Sequence, residues 1–168
     1  GWYVANATLK HERGMLGDPN QAATRLKEIV DLMNVETING EKLINNPVHL
    51  DRLMRLQGRV LSMSYNSLRS LTASHKGLDA KMGKLIVKLN GCQLNHDLAG
   101  FAIDLLGELG TIYGLSNHDH DSGKWQWRYM FDLGLIIGGG TAQIQKNIIS
   151  EIGLGMPREP KPMLEEKK

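Results

Sequence analysis

Apolar residues recur every three to four positions over most of the chain, the period of helices rather than strands. Asp18 followed by Pro19 supplies an N-cap and a first helical residue, and Ala22, Leu26, Ile29, Val30 and Met33 then follow on one face. Asn46 and Pro47 repeat the signal, and Leu50, Leu53, Met54, Val60, Leu61, Leu68 and Leu71 predict a second helix with one apolar face. From Asp79 the same period runs through Met82, Leu85, Ile86, Leu89, Cys92, Phe101, Ala102, Leu105, Leu106 and Leu109, which predicts the longest helix. Trp125 to Ile137 predicts a fourth and Thr141 to about Leu154 a fifth. No alternating apolar and polar run is long enough to argue for a sheet. The expected fold is all-α, an antiparallel helical bundle with short connections.

Between these segments lie Glu36 to Asn46, a polar loop containing Gly40, and Leu115 to Gly123, "LSNHDHDSG". After Pro157 the chain reads "REPKPMLEEKK", and its proline and charge predict a bundle over residues 1–158 with a disordered tail over 159–168. The join between the fourth and fifth helices is unusual. In "GLIIGGGTAQIQKNII" three consecutive glycines, Gly138 to Gly140, precede Thr141. Glycines permit positive φ and a close approach to the backbone, and the helix that follows offers unpaired N–H groups at Ala142 and Gln143. That suits an anionic or carbonyl-bearing ligand, but it equally suits a tight helix-to-helix corner with Thr141 as its cap.

Composition narrows the possibilities. A chain of 168 residues, 41% hydrophobic, is long enough to bury one core without disulfides or metal. Twenty basic and 18 acidic residues are interspersed to a net charge of +2, without the basic block that tracks a phosphate backbone, so nucleic acid is not an expected partner. No apolar run approaches the roughly 18 residues of a membrane span. The single cysteine, Cys92, fits a reducing, cytoplasmic setting, and on its apolar stripe it reads as core. The first residue is Gly1, without a starting Met or a charged-then-apolar leader, so a segment of a longer protein is expected. His118, Asp119, His120 and Asp121 are neighbours in one loop, and side chains so placed rarely converge on a metal ion. Trp125 and Trp127 face different sides of a helix, so at least one is expected to pack or to meet a subunit.

"GGGTAQIQKNIISEIGLGMPR", Gly138 to Arg158, resembles the C-terminal signature of the acyl-CoA dehydrogenases, which typically read as glycines, Thr, any residue, Gln, Ile and, further on, "LGLPR". "GWYVANATLKHERG", Gly1 to Gly14, is similar to the family's entry into its last domain, where a Glu-Arg pair follows an apolar helix. "KLIVKLNGCQLNHDLAGFAIDLLG" is similar to its long bundle helix. The likeness covers residues 1–158 and implies the C-terminal helical domain, with an N-terminal helical domain and a β-domain upstream.

The resemblance implies α,β-dehydrogenation of an acyl-CoA thioester. In that family a carboxylate removes the α proton, FAD accepts the β hydride, and an electron-transferring flavoprotein reoxidises the flavin within homo- or hetero-tetramers. Many members carry Glu immediately before the final Gly-Thr, whereas this chain has Gly139 there. A smaller branch, including the isovaleryl and long-chain enzymes, also has glycine at that position and takes its base from the Glu-Arg pair. The resemblance therefore assigns the base to Glu12, which on composition alone would read as a solvated residue of a first helical turn. It also implies that Lys10, His11 and Arg13 line the substrate entrance, that Gly139 and Gly140 meet the acyl thioester, and that Thr141, Ala142 and Gln143 touch the flavin.

Two departures concern the flavin contacts across the subunit interface. The family's Arg-x-x-Phe-Gly stretch should fall near Ile38 to Ile44, where this chain reads "INGEKLI". A Gln and a Gly-Gly pair often stand where this chain has "DLLGELG", Asp104 to Gly110. Beside the catalytic domain, the sequence thus leaves open a non-catalytic assembly domain in a mixed tetramer where another subunit holds FAD.

Overall fold

The computed structural model describes residues 1, 3–5, 7–8, 15–114 and 120–160. Helix α1, Pro19–Val35, starts where the sequence places it, with the Asp18 carboxylate accepting from Asn20 N at 2.9 Å. Helix α2, Pro47–His75, is capped likewise by the Asn46 side chain on the N–H groups of Val48 and His49. Helices α3 (Lys81–Leu85), α4 (Val87–Leu106), α5 (Lys124–Ile137) and α6 (Ala142–Ile148) follow, and α6 runs into a π turn over Ile149–Gly153. The described residues are all-α apart from one short hairpin.

That hairpin lies in the polar loop after α1. Strand β1 (Thr37–Ile38) pairs antiparallel with β2 (Glu41–Lys42) through Asn39 and Gly40, whose φ values of 55° and 84° suit a two-residue turn of the primed kind. The Asn-Gly pair was its signal, but two-residue strands are too short to show alternation.

Helix α4 is the centre of the bundle, packed by α1, α2 and α5. Its Leu94, Leu98, Ala99, Phe101 and Ala102 meet Ile29 and Met33 of α1, Leu53 and Val60 of α2, and Trp125 of α5 in one apolar core. Cys92 is buried there, as its stripe predicts, and desolvation pushes its thiol pKa up, so it stays a protonated donor, here to Leu16 O. Trp125 is buried while Trp127 is exposed and stacks on Phe131, the division their spacing requires.

Two expectations are corrected. The longest helix is α2, with 29 residues, because the segment expected to run unbroken from Asp79 to Leu109 is interrupted near Ile86 and ends at Gly107. Asn66 Nδ2 donates to Gly83 O at 2.9 Å, the carbonyl that an unbroken helix would offer to Val87 N, and Gly107 leaves the helix at φ 57°. The buried face of α2 is Leu53, Leu56, Val60 and Met63; Leu50, Met54, Leu61, Leu68 and Leu71 form an outward stripe.

The chain before α1 is seated on α4 by a glycine pair. A Cβ on Gly91 would stand 2.5 Å from Gly17 Cα, so neither residue tolerates a side chain without backbone movement. Gly91→Ala is accordingly expected to destabilise the chain by about 1–3 kcal/mol in urea unfolding, and an unchanged midpoint would contradict this packing.

Candidate functional site

Helix α5 ends with Gly138 N donating to Gly134 O at 2.8 Å. Gly139 and Gly140 then turn the chain with φ of 65° and 105°, where a side chain would be strained. Thr141 is the N-cap of α6, its hydroxyl accepting from Ile144 N at 3.4 Å. Gly139, Gly140, Thr141 and Ala142 are half-buried and Gln143 is exposed, so these five predicted site residues form one corner between α5 and α6. The corner is tight and capped by Thr141, as one of the two uses foreseen for the glycines requires, and its backbone at Gly139 and Gly140 is bare of side chains.

The carbonyls of the corner are held from beneath by two residues that sequence reasoning missed. Lys88 Nζ of α4 donates to Ile136 O at 2.7 Å and to Gly140 O at 2.6 Å. Gln145 Nε2 donates to Gly139 O at 3.0 Å and, more weakly, to Gly140 O at 3.4 Å. Lys88 is 2% exposed and Gln145 1%. A signal existed for the lysine, since Lys88 falls at helical spacing from Leu85 and Cys92, inside an apolar stripe where a charge is out of place.

Lys10, His11, Glu12 and Arg13 lie outside the described residues. Just after them, Leu16 O accepts from Cys92 Sγ at 3.4 Å and Gly17 packs on Val87 and Gly91. This contact is one helical turn of α4 from Lys88, so Leu16 and Gly17 lie beside the turn that carries the corner's support.

The positions singled out for interface flavin contacts have other engagements. Asp104 is paired with Arg52 at 2.7 Å, and Ile38 to Lys42 form the exposed hairpin. A groove of about 580 Å³ beside Asp104 carries Arg52, Arg55 and Arg59, but Asp104, Asp51 and Asp97 respectively pair with them. In the second loop His120 Nε2 meets Glu36 at 2.9 Å and Asp121 pairs with Lys124, while His118 and Asp119 lie outside the described residues. Among the described residues no group of His, Cys, Asp or Glu side chains is arranged to hold a metal ion, and no helix is long and apolar enough to cross a membrane.

A family model described as acyl-CoA dehydrogenase, C-terminal domain, matches residues 1–154. Acyl-CoA dehydrogenase IpdE1 of Mycobacterium tuberculosis is 31% identical over 166 residues, which cover 96% of this chain and 40% of the relative. The chain thus spans about two fifths of the length of the curated relatives it matches. Among solved structures, the Tcur3481-Tcur3483 steroid ACAD matches with a TM-score of 0.78 at 21% identity, over 95% of this chain and 40% of that one. The ChsE4-ChsE5 complex from Mycobacterium tuberculosis matches with a TM-score of 0.77 at 24% identity, over 95% and 42%. At these identities the two structures speak for the fold alone.

Proposed function

The chain belongs to the acyl-CoA dehydrogenase family as its C-terminal helical domain, and from that premise we propose that the full-length protein dehydrogenates an acyl-CoA thioester between its α and β carbons, with Glu12 as the base. The observation that carries this reading is the corner itself, where Gly139 and Gly140 present bare backbone in left-handed conformations and no carboxylate stands before Gly140–Thr141. With that position vacant, the Glu-Arg pair of residues 12 and 13 is the family's alternative source of a base.

In this mechanism Glu12 takes the α proton, a step that a dry site would favour by strengthening the carboxylate as a base. Lys10, His11 and Arg13 line the entrance, and Gly139 and Gly140 let the thioester lie against the main chain, where fixed N–H dipoles stabilise the developing enolate. Thr141, Ala142 and Gln143, at the start of α6, are the residues of this chain that would hold a flavin. They fit one, because the corner has no Cβ at Gly139 or Gly140 to keep a flat ring away. Bound FAD would supply the hydride acceptor, and an electron-transferring flavoprotein is the proposed partner for its reoxidation. The acyl group is open, so acyl-CoA thioesters on a steroid side chain and fatty acyl-CoA both belong in the first assay.

A second reading, a non-catalytic domain of a heteromeric dehydrogenase, is favoured by Asp104. Where the family often has a neutral Gln for a neighbouring subunit's flavin, this chain puts a carboxylate committed to Arg52. The visible absorbance of the full-length protein separates the two. One flavin per subunit is expected for the catalytic reading, and a colourless subunit that binds a flavin-bearing partner would replace it with the second. Either form is expected to be oligomeric, since Leu61, Leu68 and Leu71 on α2 and Met130 and Ile137 on α5 are open to solvent. A monodisperse monomer at micromolar concentration in sedimentation would count against association.

A further inference from the structure

We infer that Lys88 is a positioning residue of the glycine corner, fixing, together with Gln145, which way two successive peptide groups of that corner point. The inference rests on the proposed function for its consequence in turnover, but its geometric content stands apart from it.

Lys88 reaches the corner from a different helix. Its ammonium lies between Ile136 O, one of the carbonyls that the C-terminus of α5 cannot pair within the helix, and Gly140 O. A cation is favoured at that end of α5 by the helix dipole. The second carbonyl determines the orientation of the corner. A trans peptide is planar with C=O and N–H opposed, so drawing Gly140 O down toward Lys88 aims the N–H of Thr141 up and away. Gln145 does the same one peptide earlier, since its hold on Gly139 O aims the N–H of Gly140 away from the core. Two adjacent amide donors are thereby turned to the face where the proposed thioester lies, in a segment whose glycines would otherwise visit many backbone states.

Both supports are buried, which makes the arrangement stiff. A surface lysine would exchange these carbonyls for water at little cost, whereas at 2% exposure the ammonium has no bulk solvent to turn to. Gln145 also stands where a Cβ on Gly140 would come within 2.9 Å of its Nε2, so the absence of a side chain at Gly140 and the amide beneath it belong to one device.

The test compares Lys88→Met, Lys88→Gln and Lys88→Arg in the full-length protein by amide hydrogen exchange and by steady-state kinetics with an acyl-CoA. In Lys88→Met the hydrogen-bonded amides that flank the corner, Gly138, Ile144 and Gln145, are expected to exchange at least about tenfold faster while those in the middle of α4 keep their protection. The same variant should lose about 10- to 100-fold in kcat with KM changed less than about threefold, because aimed amide donors act mainly on the transition state. Lys88→Arg, which keeps charge and donors, should recover part of that loss. Unchanged exchange at these three amides would overturn the inference, and so would faster exchange with kcat within about twofold of the parent, which marks a structural role only. Should Lys88→Met fail to fold, Lys88→Gln is read against the same two criteria. A parent protein that turns over no acyl-CoA would sink the proposed function, while the exchange measurement would still decide whether Lys88 orients the corner.

Discussion

Glu12→Gln in the full-length protein is expected to leave helicity and flavin content unchanged while lowering acyl-CoA turnover by about 10² to 10⁴. With Gly139 in place of the glutamate that many family members carry, no side chain at that position can accept the α proton, so the proposed base is the carboxylate of the Glu-Arg pair. Glutamine keeps the shape and removes the basicity, which separates loss of the proton transfer from loss of the pocket. A carboxylate restored as Gly139→Glu in the Glu12→Ala background should recover part of the activity. Recovery should be incomplete, since Gly139 sits at φ 65°, a conformation that costs a residue with a Cβ about 1–2 kcal/mol. The measurement is the reductive half-reaction followed by flavin bleaching. Near-normal bleaching in Glu12→Gln would remove Glu12 as the base and move weight to the subunit without flavin.

Asp132→Ala is expected to cost about 3–5 kcal/mol of folding stability, a fifth or more of the roughly 5–15 kcal/mol that a domain has. Asp132 is fully buried on α5 and receives Arg25 of α1 in a two-pronged contact, at 2.5 and 3.2 Å, while Arg25 also donates to Asn95 O of α4 at 3.1 Å. The three helices are thus tied by one guanidinium with 4% exposure. Removing the carboxylate strands that cation where water cannot reach it, and the loss exceeds what the pair itself contributes. Replacing both partners, as Arg25→Met with Asp132→Leu, should therefore return most of the stability, because the burial of two charges disappears with their attraction. Urea unfolding of the three variants decides the matter; a cost below about 1 kcal/mol for Asp132→Ala would show that Arg25 is solvated after all.

The Arg25–Asp132 tie is not visible along the chain, and although Lys88 stands out in its apolar stripe, nothing along the chain says which carbonyls it holds. Arg25 and Asp132 stand 107 positions apart, and each alone reads as a polar residue of an amphipathic helix. Only the crossing of α1 and α5 over α4 turns the pair inward. Glu28 tells the same story at the surface, since Arg128, a hundred residues away, holds its carboxyl below the usual range. On α2 two leucine-rich stripes compete for the core, and composition does not rank them. Leu53 and Val60 won because α4 lies on that side, which leaves Leu61 and Leu68 for solvent or another subunit.

What the sequence by itself determined is everything carried by neighbouring residues. Asp18–Pro19, Asn46–Pro47 and Thr141 start helices through bonds that close within two or three positions, and the glycines at 139 and 140 turn the corner because φ is a property of one residue. The family motif at Gly138 to Arg158 was legible for the same reason. The tertiary structure alone decided which stripe of α2 is core, where Asn66 takes Gly83 O and breaks the helix between α3 and α4, and that Lys88 and Gln145 hold the corner from below. Those outcomes depend on partners brought together from distant parts of the chain, and a buried polar group is settled only when the packing around it shows which donor and acceptor it can reach.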